Sequence, residues 1–221
     1  MKWLYKLERR FGRYAIQNLM MYITLTMGVV FLLQYLTGYN LYGVLDLNRA
    51  AILQGQVWRL ITFIFIPQNG SGILFTLIYL YFNYAIGMAL EDAWGSFKFN
   101  VYYLCGMLSA ILTMALLGFG SSYYLNLTLF LAYSYLYPNQ EFLLFFILPI
   151  KAKYIALVDW LVLLVSFIAG PWAARLGIAL ALLNFFLFFG GDFTRQLRNQ
   201  LGWWKTRRNF RKGNKDDIHY Y

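Results

Sequence analysis

Long uncharged and largely apolar stretches alternate with short charged ones along the chain. No charged residue occurs between Tyr14 and Leu45, between Leu60 and Leu90, or in the 42 residues from Phe99 to Gln140. Because an ionisable group near the centre of a bilayer costs several kcal/mol, such stretches predict membrane-spanning helices. A span takes about 20 apolar residues. The first two stretches are therefore long enough for one span each, and the third for two.

Glycine and proline mark the ends of the later helices. The segment Gly118–Ser122 predicts a turn that separates helices three and four. A fifth helix runs from Tyr154 to Gly170 and is interrupted by Asp159. Gly170-Pro171 ends it, since proline has no amide hydrogen and disfavours helix in the preceding residue. A sixth helix is expected from about Trp172 to Gly191, so the fold class is an all-α membrane protein with six spans.

The two ends of the chain differ in character from this central region, 19–191. In residues 1–18, apolar side chains recur at three- and four-residue steps between basic ones, which predicts a basic amphipathic helix lying in the membrane interface. Those apolar residues are Trp3, Leu4, Leu7, Phe11 and Tyr14. Residues 192–221 form a basic tail, predicted to be cytoplasmic.

Lysine and arginine indicate the orientation, because positively charged short loops stay on the cytoplasmic side. Six spans place both termini on one side, and 16 of the 19 basic residues then lie there. Only Arg49, Arg59 and Arg175 fall elsewhere. The sequence therefore predicts a multi-pass protein of a cell membrane (the inner membrane), with both termini cytoplasmic.

Composition excludes several classes of site. Only 13% of residues are charged and 61% are apolar, against about 25% charged in a soluble domain. The single cysteine, Cys105, and the single histidine, His219, exclude an intramolecular disulfide, a Cys/His zinc site and a histidine dyad within the membrane. We expect no metal and no cofactor. The basic tail could bind nucleic acid or a ribosome, but anchoring on anionic lipid is the favoured interpretation, with no nucleic-acid partner.

Several short motifs resemble the rhomboid superfamily, including the derlins, in order and spacing. The segment Gly55–Leu60 resembles its tryptophan-arginine motif, Gly87–Glu91 with Trp94–Ser96 its glutamate-glycine turn, and Tyr137–Asn139 with Leu148–Lys153 its boundary between helices four and five. The resemblance covers Trp3 to about Gly191. It implies a six-helix rhomboid-like fold with a long first loop embedded in the membrane.

An active rhomboid needs a serine on helix four and a histidine on helix six, and helix two contributes to the oxyanion site. Counting along the chain from the matched motifs without gaps places the serine position at Tyr123. The histidine position is then Arg175, which cannot accept a proton. The two helix-two positions fall on Phe75 and Tyr79. The resemblance therefore implies a protease frame without its catalytic groups, although Ser121 and Ser122 lie beside the expected turn.

Other family positions are expected to be structural. Trp58 and Arg59 would anchor the first loop, since arginine has five donors and can hold several carbonyl groups. Gly87, Glu91 and Gly95 suggest close helix approach and a carboxylate that satisfies backbone amides of the turn.

Four polar residues within or beside the spans leave alternatives open. Asp159 is a proton or client site, or it is paired near the surface with Lys151, Lys153 or water. Arg175 binds a client carboxylate or snorkels to the outer surface. Asn126 and Asn184 join helices by hydrogen bonds or line a client groove.

The function expected from these features is a catalytically inactive, derlin-like pseudoprotease that binds transmembrane segments of client proteins. Its partners would be the bilayer and those clients. Two alternatives remain: an intramembrane serine peptidase with a non-standard site, and a small transporter or lipid-handling membrane protein.

Overall fold

The computed structural model describes residues 2–68, 72–144 and 148–189. These residues form ten α-helices and four short strands. The helices are α1 (Lys2–Phe11), α2 (Leu19–Thr37), α3 (Leu41–Leu45), α4 (Arg49–Leu53), α5 (Arg59–Thr62), α6 (Ile73–Trp94), α7 (Ser96–Leu117), α8 (Tyr123–Leu136), α9 (Ala152–Ala169) and α10 (Trp172–Phe189). The strands are β1 (Leu47–Asn48), β2 (Phe119–Gly120), β3 (Glu141–Leu144) and β4 (Leu148–Lys151).

Five helices, namely α2, α6, α7, α9 and α10, are long and apolar enough to cross a membrane. The chain is thus mostly helical, as expected for an all-α multi-pass membrane protein. The predicted fourth span is a helix of only 14 residues, α8. At 1.5 Å per residue α8 is about 21 Å long, shorter than a hydrocarbon core of about 30 Å.

The first loop, which connects α2 to α6, lies at one end of the bundle, which we call the loop end. There β1 pairs with β2, with Leu47 opposite Gly120 and Asn48 opposite Phe119. Asn48 also caps α4, because its Oδ1 accepts from the amides of Ala50 and Ala51. The predicted turn at Gly118 forms here. Gly118 ends α7 at φ +92°, a left-handed conformation that glycine adopts without steric cost.

The centre of the bundle is built around α7, which packs against α6 and α8, while α2 packs against α6. Aromatic side chains of α7 are fully buried, in particular Phe99, Tyr102 and Tyr103. Gly87 in α6 permits a close approach to α2, because a Cβ there would lie 2.0 Å from Cγ of Met20. At Gly87, α2 and α6 therefore approach each other as closely as the glycine pattern predicts.

A β-hairpin follows α8, where the sequence predicts only a boundary between two helices. Glu141 of β3 lies opposite Lys151 of β4, and Phe142 lies opposite Ile150. The hairpin is joined to the start of α9, since the amide of Ala152 donates to the carbonyl of Gln140 at 2.8 Å. A proline without an N–H is tolerated at a strand edge but not inside a helix, and Pro149 thus favours the hairpin.

The amino-terminal helix is shorter than the predicted 1–18. It comprises α1, followed by a 3₁₀ turn at Gly12–Tyr14. Leu4 is buried, whereas Leu7 and Phe11 remain exposed. The predicted tail, 192–221, and the predicted end of the sixth helix at Gly191 lie outside the described residues.

The chain divides into two compact units, 1–184 and 185–221. Of the second unit, the structure describes residues 185–189, which are the end of α10. All contacts and cavities considered below lie within the first unit.

Candidate functional site

Tyr79 and Asn126, which the sequence analysis singled out on predicted helices two and four, contact each other across the bundle. These helices are α6 and α8 in the structure. The side-chain amide of Asn126 in α8 donates to the hydroxyl of Tyr79 in α6 at 2.8 Å. Asn83, one turn along α6, donates to the same hydroxyl at 3.3 Å. The Oδ1 atom of Asn126 is buried without a partner in the described part of the chain. Two amides and a phenol thus form the interhelical polar contact at this level, and none of them is a base at neutral pH.

The two serines beside the expected catalytic turn have different environments. Ser122 is buried, and its Oγ accepts from Nε2 of Gln68 at 3.0 Å. Ser121 is exposed, and its Oγ accepts from the amide of Tyr123 at 3.1 Å. Neither the Gln68 side-chain amide nor the Tyr123 backbone amide can remove a proton from a serine hydroxyl.

Tyr123, Phe75 and Arg175 are the other three positions of the expected catalytic set. None of them contacts Tyr79 or Asn126 among the described hydrogen bonds. Tyr123 and Phe75 are each about half exposed. Arg175 donates from Nη2 to the carbonyl of Ile168 at 2.8 Å and lies 5.6 Å from the Trp172 ring centre. It therefore satisfies a carbonyl in the last turn of α9, a favourable place for a cation. Arg175 thus lies in the first turn of α10, at the end of the helix that follows Pro171.

Arg59 fastens the first loop from within. It is buried, and its Nη1 donates to the carbonyls of Gly43 at 2.9 Å and Asp46 at 3.0 Å, as well as to the Asp46 carboxylate. Its Nε donates to Gln56 at 2.8 Å. Among the described residues, Arg59 and Asp46 form the one ion pair. The adjacent Trp58 is about half exposed, on the outside of the loop.

Glu91 fixes the start of α2 rather than the turn to which the sequence interpretation assigned it. Its Oε1 accepts from the amide of Asn18 at 2.7 Å. Asn18 is the residue before α2 and has φ +54°, a left-handed conformation that asparagine adopts more readily than most non-glycine residues. Gly95, the link between α6 and α7, has φ +82°. Glu91 thus joins two spans at the end opposite to the loop end.

Asn184 joins α10 to α7. It is almost fully buried and donates from Nδ2 to the carbonyl of Tyr102 at 3.2 Å. Like Asn126, it has an Oδ1 atom that is buried and unpartnered in the described part. Both asparagines therefore make the interhelical hydrogen bonds that one of their two interpretations predicts.

Asp159 does not have the lysine partners that one interpretation gives it. The described ion pair does not include Asp159, Lys151 or Lys153. Lys153 instead lies over the ring of Tyr154, 5.2 Å from its centre. No group of three potential metal ligands occurs among the described residues.

The hairpin is the main feature of this region that sequence reasoning missed. Phe142 of β3 contacts Phe82 in α6 and Phe130 and Tyr133 in α8, with ring centres 5.1, 6.1 and 5.6 Å apart. Helix α9 packs chiefly against α8 and β4. Phe82 lies nine residues from the loop end of α6, or about 14 Å along the helix. The hairpin thus places Phe142 against both α6 and α8, near the middle of α6.

Two cavities open near the loop end. One, of about 330 Å³, is lined by Asp46 and Gln68 of the first loop and by Ser121 and Ser122, among others. The other, of about 220 Å³, lies between α7, α8 and α10. Neither is lined by Tyr79, Tyr123 or Arg175. Asp46 and Gln68 carry no sequence signal that would identify them as neighbours of these serines.

Comparison of the chain with family models, with curated proteins and with solved structures gives no match.

Proposed function

We propose that this protein is a catalytically inactive, rhomboid-like membrane protein that binds transmembrane segments of client proteins. The observation that supports this most directly is the hydrogen bond between Asn126 and Tyr79. At the helix-two and helix-four level where a protease would hold reacting groups, two neutral side chains are bonded to each other. They hold the helices together without an acid or base.

In the described part of the chain, Ser121 and Ser122 lack the adjacent base that hydrolysis by a serine requires. A serine hydroxyl is a weak nucleophile at neutral pH and needs an adjacent base. The Ser122 hydroxyl is bonded to the amide of Gln68, which does not take up a proton. On the last helix the base position is held by Arg175, which is permanently charged and directed to the carbonyl of Ile168.

The client surface that we propose is the edge of the bundle formed by α6, the hairpin and α9. Helix α9 presents an apolar face outward, including Leu157, Leu161 and Leu164, each more than half exposed. Tyr81 of α6 is exposed beside Phe82, the residue on which Phe142 packs. A client helix laid against this edge would contact α9 on one side and α6 on the other.

Photocrosslinking from this edge tests the proposal. A photoreactive amino acid placed at Tyr81 or Leu161 in the full-length chain, expressed in its native membrane, should trap single-span proteins. The matched control is Leu108, an equally apolar and exposed position on α7. Clients trapped from Tyr81 and Leu161 but not from Leu108 support the proposal. Crosslinks to lipid alone, or the same proteins from all three positions, would overturn it.

One observation favours a second candidate, a serine peptidase with a non-standard site. The carboxylate of Asp46 lines the same cavity as Ser121 and Ser122. That carboxylate is paired with Arg59, which disfavours its use as a base. Labelling by a fluorophosphonate that is abolished by Ser121→Ala or Ser122→Ala, and reduced by Asp46→Asn, would establish this candidate.

A further inference from the structure

The cavity of about 220 Å³ between α7, α8 and α10 is lined largely by small side chains. Its walls include Gly106 and Ala110 of α7, together with Ala174, Gly177 and Ala181 of α10. A cavity of about 150 Å³ with apolar walls already accommodates benzene in a soluble protein. This space is therefore large enough for a substantial apolar group.

The hydroxyl groups along the cavity do not make it a polar site. Ser109 donates from Oγ to the carbonyl of Cys105 at 3.0 Å, and Thr113 donates to the carbonyl of Ser109 at 2.9 Å. Their hydrogen atoms are thus engaged within α7 itself. The remaining lining residues are mainly glycine, alanine, leucine, proline and aromatic residues, so the walls favour hydrocarbon over water.

The cavity has the depth of one membrane leaflet. Its lining residues Phe119 and Pro171 are exposed at the loop end, which we take as its mouth, and its walls reach Ala181. Ala181 lies nine residues into α10, which is about 14 Å along the helix. Half of a hydrocarbon core is about 15 Å. A hydrocarbon chain that enters the cavity at its mouth would reach the middle of the bilayer.

A cation lies at the same end of α10. Arg175 follows the wall residue Ala174 directly, and its Nε is buried without a partner in the described part of the chain. Its Nη2 donates to the carbonyl of Ile168. The hydroxyl of Ser121 also lies at the mouth. Both groups can donate to phosphate oxygens, and Arg175 supplies the complementary charge.

We propose that this cavity holds part of one acyl chain of a phospholipid from the leaflet at the loop end, and that the lipid phosphate is bound at the mouth beside Arg175. The site is independent of the proposed client surface, which lies on α6, the hairpin and α9. It would fix the loop ends of α7, α8 and α10 relative to one another by filling the space between them.

Lipid retention measures this site directly. The full-length protein is reconstituted into bilayers of phosphatidylglycerol and phosphatidylethanolamine, extracted in mild detergent, and analysed by native mass spectrometry. The wild type should retain one phospholipid. Ala181→Leu and Ala174→Leu place a larger side chain in the cavity and should reduce retention about tenfold, the factor that corresponds to 1.4 kcal/mol. Arg175→Gln should reduce retention of phosphatidylglycerol more than that of phosphatidylethanolamine.

Ala179→Leu is the matched control, because Ala179 lies on the same helix but is exposed. It should retain lipid like the wild type. The proposal is overturned if the wild type retains only detergent, if the two cavity variants retain wild-type amounts, or if Ala179→Leu loses as much lipid as they do. Should Ala181→Leu fail to fold, Ala174→Leu near the mouth gives the same comparison.

Discussion

The side-chain amide of Asn126 donates a hydrogen bond of 2.8 Å to the hydroxyl of Tyr79, and this contact joins α8 to α6 inside the bundle. Asn83 donates to the same oxygen. The Tyr79 hydroxyl therefore accepts hydrogen bonds from two amides at a partly buried position.

Tyr79→Phe removes that oxygen and leaves two amide donors without it. We expect a loss of about 1–2 kcal/mol in the free energy of unfolding, since interhelical hydrogen bonds in membranes contribute about 0.6–1.7 kcal/mol. Titration with a denaturing detergent, followed by circular dichroism, measures it. Tyr81→Phe, at an exposed position on the same helix, should change little. Equal effects of the two substitutions would contradict a stabilising role for the Tyr79 hydroxyl.

Glu91→Gln and Glu91→Ala separate the hydrogen bond to Asn18 from the charge. Glutamine keeps an oxygen that can accept from the Asn18 amide, whereas alanine leaves that amide unsatisfied. We expect alanine to cost about 1–3 kcal/mol and glutamine to retain most of the stability. Asp92→Ala, at the exposed neighbouring position, is the control. If glutamine is as destabilising as alanine, the role of Glu91 is that of a charge and not of an acceptor for Asn18.

Arg59→Lys should loosen the first loop while keeping a positive charge. A lysine ammonium cannot reproduce the planar arrangement in which Arg59 meets Gly43, Asp46 and Gln56 at once. We expect faster amide hydrogen exchange across residues 41–62 and a loss of about 1.5–3 kcal/mol, typical for a hydrogen bond to a charged group. Arg49→Lys, at an exposed loop position, should leave exchange unchanged. Unchanged exchange in Arg59→Lys would show that the loop does not depend on the guanidinium.

Gly87→Ala should disturb the contact between α2 and α6. The new methyl group would lie 2.0 Å from Cγ of Met20, which is fully buried. Overpacking of this kind costs about 1–3 kcal/mol, and the double variant Gly87→Ala with Met20→Ala should recover part of that loss. Gly28→Ala is the control, because its nearest contact would be an ordinary 3.8 Å to Leu80. Equal melting temperatures for Gly87→Ala and Gly28→Ala would contradict the close approach.

The spans and their turns could be predicted because they follow from local properties of the chain. The cost of a charge in hydrocarbon limits where spans can lie, and glycine and proline mark their ends, as at Gly118 and Pro171. Helix four was predicted as a full span, but α8 ends at Leu136 because the chain turns at Pro138 before the hairpin begins at Glu141. Phe142–Ile150 is apolar almost throughout, and periodicity alone does not distinguish a buried strand from a helix in such a run.

The partners of individual side chains depended on contacts between distant parts of the chain. The number of donors on Arg59 predicts that it holds loop carbonyls, but not that Asp46 provides one of them. Glu91 reaches Asn18 across 73 residues, and the local pattern of glycines suggested the neighbouring turn instead. The bond between Gln68 and Ser122 likewise depends on how the first loop returns to the bundle.

The most direct test of the central claim is the length of the clients trapped by photocrosslinking from Tyr81 and Leu161. Native mass spectrometry or immunoblotting of the crosslinked complexes gives that length, with the chain carrying Ser121→Ala and Ser122→Ala as the reference. If the protein is inactive, full-length single-span clients are trapped in equal amounts by the unsubstituted and the doubly substituted chain. Clients cut within their spans by the unsubstituted chain, and intact with the double variant, would contradict the claim.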